Sequence, residues 1–519
     1  MKPEAQLAAA SIQRPAVCAG WAVVLALGLC GCAGVPAGRD AGWAVDVPPA
    51  WSTPYATPAP PLPRAASTSL TQPTQPTQPT QPTQPAATSL ADWWLRFDDP
   101  LLAGLVASAL QSNTSVRGAQ GALRQARALR DVAAAGLLPQ LGVSASAQRS
   151  KAGTASPANN FNVGLDASWE ADLFGANRSA LDASEAAARA SGASLADVQV
   201  SIAAEVALSY ITLRSTQARL AIAQANLASQ RDTLQITQWR LQAGLVSSLA
   251  AEQARASAEQ TAAQLPLLTT GIAQAQHALA ALTGQAPAAL SAMLQVAAPV
   301  PQAPDGLALS LPADTLRQRP DVRAAQYQVA AAASRVSQAE AARLPDLRLS
   351  GSLGLNALTV GALGGSGALV ASILAGVSMP LIDGGARRAQ VQAQQGALEQ
   401  SRASYQAAVL TALKDVEDAL IALRGDRDQL ASLQRAAQAA ANAAALARQQ
   451  FSSGLVDFQT VLETQRTRLS TEDAVATANA DVSADHVRLY KALGGGWVPD
   501  ATGTNPLVNE KRAGSSPGS

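Results

Sequence analysis

Phe161-Asn162-Val163-Gly164-Leu165-Asp166-Ala167-Ser168-Trp169-Glu170-Ala171-Asp172-Leu173 decides the fold of this chain. The odd positions are all apolar; the even ones are polar, acidic or glycine. Side chains alternate faces along a β-strand, so the stretch reads as a strand with one apolar and one charged face. Thirteen residues exceed the roughly 9–11 that a tilted strand needs to cross a bilayer.

Three more segments repeat the pattern. Leu141 to Gln148 alternates after Pro139, which stops the helical pattern before it. Leu347, Leu349, Gly351, Leu353, Leu355 and Ala357 oppose Arg348, Ser350, Ser352, Gly354 and Asn356, and a return strand is expected from about Leu369 to Leu381. No charge occurs from Ser350 to Ile382, so this stretch taken alone could be a membrane-spanning helix. Seven glycines between Gly351 and Gly376 disfavour helix. Its earlier counterpart carries Asp166, Glu170 and Asp172 on one alternating face, which a lipid-spanning helix does not tolerate. The Gly-, Ser- and Asn-rich loops at 150–160 and 358–368 would face outside. Four strands cannot close a barrel, which takes about eight or more, and lipid permits no open strand edge. Several chains must share one barrel, and the strands alone leave open whether two, three or four do so.

Around the strands the period changes to seven. Val206, Leu213, Leu220, Leu227, Leu234 and Leu241 keep it unbroken, as do their counterparts Val416, Leu423, Leu430, Ala437, Ala444 and Phe451. Sustained heptads mark closely packed, supercoiling helices. No proline falls within 175–243 or 384–453, so each can be one helix of about 65 residues, about 100 Å long at 1.5 Å per residue. Each is expected to break at the glycine of a Gly-Leu-Val turn, Gly244-Leu245-Val246 or Gly454-Leu455-Val456. Return helices follow to about Leu282 and Leu493, the first kinked at Pro266. Helices alone would suit a coiled-coil rod. The strands exclude it.

The hairpins belong to an internal duplication. Leu138-Pro139-Gln140-Leu141 recurs as Leu344-Pro345-Asp346-Leu347, and Asp172-Leu173-Phe174-Gly175 as Pro380-Leu381-Ile382-Asp383-Gly384. Ala281-Leu282-Thr283-Gly284 recurs as Ala492-Leu493-Gly494-Gly495. The boundary is the Pro-rich stretch from Pro299 to Pro312.

Composition agrees with a thin-walled body. The 519 residues are 48% hydrophobic but 3% aromatic and 14% charged, with a formal net charge of +1; a typical domain has about 25% charged residues. Ala and Gln suit close-packed helices rather than a thick core, and the absence of a basic cluster argues against nucleic acid. Lys2 and Arg14 precede an apolar run from Ala16 to Leu29, signal-peptide-like and short for a membrane helix. Leu29-Cys30-Gly31-Cys32 then resembles a bacterial lipobox, with Cys32 favoured over Cys30 as the lipidated residue because a small residue precedes the cut. Cys18 and Cys30 would leave with the signal, so no disulfide or thiol metal site is expected. Five Thr-Gln-Pro triplets from Thr71 to Pro85 forbid helix and favour extended polyproline II, read as a semi-rigid tether between anchor and body.

With Asp92-Trp93-Trp94, Phe97-Asp98-Asp99-Pro100, Trp169 to Gly175, Arg319-Pro320-Asp321-Val322, Pro380 to Gly385 and Leu489 to Trp497, the chain resembles the TolC-like outer membrane efflux proteins, in particular the NodT-type lipoprotein branch. The resemblance implies a mainly α fold with transmembrane β: a homotrimer whose 12-stranded outer membrane barrel, four strands per chain, continues into a long periplasmic α-helical barrel. It implies a periplasmic membrane-fusion adaptor and an inner-membrane pump, usually of the resistance-nodulation-division (RND) class, as partners. The expected organisation is a signal peptide at 1–31, a lipidated Pro-rich linker at 32–90, repeats at 91–300 and 301–497, and a flexible tail at 498–519. Glu463, nine after Gly454, and Arg466, one turn on, match the family's periplasmic gate, whereas Thr460 stands where some members carry a second acid. The tip turns Gly244-Leu245-Val246 and Gly454-Leu455-Val456, with Glu252, would meet the adaptor.

No catalytic, cofactor or metal constellation is found. His277 and His486 stand alone on helical patterns, and Gly361 to Gly367 lacks the Lys-Ser/Thr ending of a phosphate loop. Asp383 is read as a helix cap. The expected function is a passive exit duct for small molecules. A type I protein secretion duct and a non-conducting coiled-coil scaffold are the alternatives.

Overall fold

The computed structural model describes residues 51–52, 90–304 except 152 and 155, and 319–497. The signal peptide, Cys32, the Thr-Gln-Pro triplets, residues 305–318 of the boundary and the tail lie outside these described residues.

A 3₁₀ segment, Leu90–Phe97, leads into α1 (Pro100–Ser112) and α2 (Thr114–Ala135). The strands β1 (Gln140–Ser150) and β2 (Ala158–Ala171) follow, then α3 (Ala176–Gln242) and α4 (Ser248–Leu282). The second half repeats this order as α5 (Pro320–Ala341), β3 (Asp346–Ala357), β4 (Leu369–Ser378), α6 (Ala386–Ser452) and α7 (Phe458–Ala492). Both α3 and α6 have 67 residues, and both return helices have 35.

The four strands form one antiparallel meander, β1-β2-β3-β4. Its register puts the expected apolar sets on one face: Val143 opposite Leu165, Val163 opposite Leu355, Leu353 opposite Ala371. Asp166, opposite Gly142 and Ser352, belongs to the other face, where Ser144 donates to its carboxylate and Arg348 lies 3.5 Å from Glu170. Val143, Leu165, Leu353 and Ile373 are exposed, as a lipid-facing set would be in a single chain. Gly164 pairs directly with Gly354, and a Cβ on Gly354 would stand 2.8 Å from the Val163 carbonyl oxygen. That pair brings β2 and β3 too close for any side chain.

Two strand ends fall short of the expectation. β2 stops at Ala171 rather than Leu173, and β4 at Ser378 rather than Leu381. Pro380 has no N–H to offer a ladder, and the chain instead turns into the long helices. Asp383 accepts from the Gly385 and Arg387 N–H groups at 2.9 and 3.0 Å, and Asp172 does the same for Asn177 and Arg178 at 3.2 and 2.8 Å. Each long helix therefore has a carboxylate at its positive end.

At the far end, Gly244 and Gly454 take φ of +72° and +75°, which only glycine adopts freely. The Leu245 and Leu455 N–H groups reach back to the carbonyls of Arg240 and Gln450 at 2.8 and 2.9 Å, closing Schellman turns. α4 continues as one helix through Pro266, expected as a kink.

The heptad seam is best buried at mid-length. Val206, Leu213, Val416 and Leu423 are inaccessible, while Leu241 near the tip is exposed. Here the return helices end and the aromatics gather. Trp93 stacks on Tyr490 at 5.3 Å and meets Trp94 and Phe97 edge-on, in a core with Leu102, Val106, Leu213 and Leu489. Pro301 of the boundary accepts from Ser483 of α7 at 2.7 Å. Trp51 packs on the same core, and the Ser52 N–H donates to Glu417 at 2.5 Å. Trp51 and Ser52, which precede the Thr-Gln-Pro triplets in the sequence, thus already pack on this mid-length collar.

Trp93→Ala removes a fully buried indole and should cost about 3–5 kcal/mol. The helical circular-dichroism signal of the purified protein should melt several degrees lower, while exposed Leu95→Ala leaves the midpoint in place.

Candidate functional site: the helical tips

Two hairpin tips end the helical body, and they differ in construction. At the second tip Phe451 and Phe458 meet edge-on at 5.9 Å, closing a small apolar cluster with Val461, Leu462, Ala254 and Ala447. Val456 packs on it, and Leu455, like Leu245 of the first tip, projects into solvent. Asp457 caps α7 through the Thr460 N–H (2.9 Å) and hydroxyl (2.6 Å), and these bonds hold its carboxyl below the usual range. Thr460 is therefore a capping partner.

Arg240 ties the tips together. From the last turn of α3 it donates to the carbonyls of Phe451 and Ser452 at 3.0 and 3.1 Å, and its guanidinium carbon lies 4.2 Å from the Phe451 ring centre. A cation thus sits on the carbonyl end of α6, where the helix dipole favours it. Above it, Thr233 accepts from Gln465 at 3.0 Å, Asn226 donates to Glu472 at 3.0 Å, and Arg219 forms a two-point pair with Asp473 at 2.7 and 3.1 Å. These α3 residues, 219, 226, 233 and 240, also repeat every seven, one place ahead of the leucine seam. That spacing was visible in the sequence; their partners on α6 and α7 were not.

Glu463 and Arg466 are exposed, one turn apart on α7. Among the described residues neither has an ion-pair or hydrogen-bond partner. In the first tip, by contrast, Glu252 and Arg255 close on each other at 3.2 Å. Arg466 borders a cleft of about 480 Å³ between α3, α4 and α7, with Arg219, Gln230 and Asp473 also on its wall. Of the histidines, His277 is exposed on α4, and His486 is buried on α7 far from the tip.

Arg319, from the Arg-Pro-Asp-Val motif, serves the collar. It donates to Asp321, to Asp415 of α6 and to the Ala492 carbonyl ending α7. Burial works against its charge, but the two carboxylates outweigh burial and raise its pKa.

The description "outer membrane efflux protein" matches residues 105–285 and 311–495, one match for each half of the duplication. The chain belongs to that family. Among curated relatives, this efflux-family chain is 31% identical to nodulation protein T of Rhizobium leguminosarum bv. viciae over 79% of this chain and 85% of that one. It is 32% identical to the pyoverdine export outer membrane protein OpmQ of Pseudomonas aeruginosa over 80% and 90%. The toluene efflux pump outer membrane protein TtgF of Pseudomonas putida is 30% identical over 80% and 87%. Its fold is similar to that of the outer-membrane channel OprN, with a TM-score of 0.76 and 35% identity over 79% of this chain and 93% of that one. It is also similar to VceC of Vibrio cholerae, with a TM-score of 0.72 and 26% identity over 78% and 99%. The chain has the fold of these outer membrane channels, a sheet domain joined to a helical body.

Arg240→Ala removes two charged hydrogen bonds and a ring contact at the junction of the hairpins. Hydrogen bonds to charged groups contribute about 1.5–3 kcal/mol each. Amide exchange over 447–458 should rise by one to two orders of magnitude in the purified protein, with the collar amides unchanged.

Proposed function

We propose that this efflux-family chain is the outer membrane exit duct of a tripartite assembly, carrying small organic molecules delivered by an inner-membrane RND-type pump through a periplasmic membrane-fusion adaptor. The carrying observation is the four-stranded sheet: one apolar face, one polar face, and β1 and β4 each with an edge unpaired among the described residues. Three copies joined edge to edge give a closed 12-stranded barrel. The 67-residue helices continue it into the periplasm by about 100 Å at 1.5 Å per residue. Its polar lining conducts without chemistry, so the chain acts as a duct rather than an enzyme and takes its energy from the pump. The relatives' printed roles in toluene efflux and pyoverdine export support small organic molecules as cargo.

The proposed organisation is a signal peptide over 1–31, a lipidated linker over 32–90 with Cys32 as the acylated residue, repeats over 91–300 and 301–497, and a tail over 498–519. Threefold symmetry would gather three Glu463 carboxylates toward one axis, a ring that attracts cations, with Arg466 of each chain free to reach a neighbour. The exposed turns Gly244-Leu245-Val246 and Gly454-Leu455-Val456 are the adaptor's landing points, and opening is an outward shift of the tips.

Two measurements test this reading. In planar bilayers the protein forms channels, and replacing Glu463 and Arg466 by Ala raises single-channel conductance severalfold. Unchanged conductance removes the pair from the gate, and no conductance at all sinks the duct. Separately, Cys32→Ser abolishes fatty-acid labelling; labelling that persists places the anchor elsewhere.

A further inference from the structure

Asp485 lies on α7 in the collar, with 0% of its surface exposed. Its Oδ1 accepts from Arg488, one turn on. Its Oδ2 is shut off from solvent and has no donor. A second carboxyl group, Asp426 of α6, lies within hydrogen-bonding reach. Two ionised carboxylates cannot bond to each other, whereas a carboxyl and a carboxylate can, through one shared proton.

We propose that Asp426 and Asp485 form a proton-binding site that fastens α6 to α7 at the collar. A proton fits where a larger cation does not, because Oδ2 presents no open surface, and among the described residues no group of three or more ligating side chains could hold a metal. The cations around the site each have a partner of their own or line the neighbouring cleft. Arg488 is its ion-pair partner. In the cleft that Asp485 borders, Arg319 is engaged with Asp321 and Asp415, Asp418 pairs with Lys414 at 2.9 Å, and Lys491 and Asp197 share the wall; Arg427, next to Asp426, is bonded to His486. Asp481, one turn before Asp485, is also raised, by burial and then by Asp426. Burial first, and then the bond to Asp426, pushes Asp485 from 3.8 up to about 6.

The next residue along each helix makes a second link between α6 and α7. The Val482 carbonyl can only accept, so His486 Nδ1 donates to it at 2.9 Å, and Nε2 accepts from Arg427 at 3.0 Å.

For the pair the sign is set by its raised folded-state value. The stability from the shared proton is full below the unfolded value of 3.8 and is lost as pH rises through about 6. The link lies 22 positions from Glu463 on α7, roughly 33 Å along the helix, so medium acidity would stiffen the root of the hairpin whose far end is the proposed gate.

The test is thermal melting of the purified full-length protein at about pH 5 and about pH 7.5. Asparagine at either position supplies an amide donor without a proton. The wild type should melt higher at the lower pH, by about one to two degrees for a chain of this size. Asp485→Asn should flatten or reverse that gain and melt above the wild type at about pH 7.5. Asp426→Asn, at the half-buried member, should flatten it likewise and serves if Asp485→Asn fails to fold. A wild type that melts no higher in acid overturns the proposal, as does a full wild-type gain retained in the folding variants. These readouts do not depend on whether the chain conducts, so the proposal can fail while the duct reading stands.

Discussion

An unpaired backbone N–H or C=O group costs several kcal/mol in hydrocarbon. The sheet of this chain is finished on both faces and unfinished at both edges. β1 and β4 each offer a row of such groups with no strand partner among the described residues, while Val143, Leu353 and Ile373 stand ready for lipid. A soluble protein would blunt those edges with charge or proline. Here β4 carries no charge at all, so its remaining way to satisfy them is another copy of itself. The rest of the architecture follows from that closure. In the proposed shared barrel, repetition of the chain carries the helices with it, and the lumen is inherited rather than carved.

A wall one element thick cannot hold itself together by core volume, and the chain concentrates what core it has. Trp93, Trp94, Phe97, Tyr210 and Tyr490 all belong to a single cluster at mid-length of α3 and α6, although aromatics make up only 3% of the chain. The collar is also where the N-terminal segment docks through Trp51, where Arg319 joins α5 to α6 and α7, and where the two halves of the duplication meet. At this level helices from both repeats share one buried core. Toward the tips the contacts become linear, held by an alanine- and leucine-rich seam and by four polar links.

Much of this was legible because it is periodic. The strand face of Phe161 to Ala171, the leucines from 213 to 241 and the glycines at 244 and 454 each impose a local rule that tertiary context did not override. What stayed hidden depended on partners far along the chain. Arg219, Asn226, Thr233 and Arg240 keep a heptad as regular as the leucines, but a polar heptad looks like a solvated helix face until Asp473, Glu472, Gln465 and the end of α6 are set against it. The strand ends were misplaced by two or three residues because Leu173 and Leu381 continue the alternation. The capping carboxylates of Asp172 and Asp383 end the strands, and their contacts exist only once the helices have formed.

The unequal distribution of packing also determines where the molecule can move. Opening free energies follow the buried contacts that must be broken, and the tip cluster is a small group around Phe451 and Phe458, whereas the collar core recruits every major helix except α5. A displacement imposed at the tips therefore meets little resistance until it reaches the level of Arg219 and Asp473, and it is absorbed before the collar. Long, proline-free helices suit this use. The second half of α6 and most of α7 lie beyond the collar as stiff levers, and the carbonyls that Arg240 grips are their last fastening. The tips and the sheet are thereby separated by tens of ångströms along the same helices, so the proposed opening at the tips stays apart from the proposed closure of the barrel.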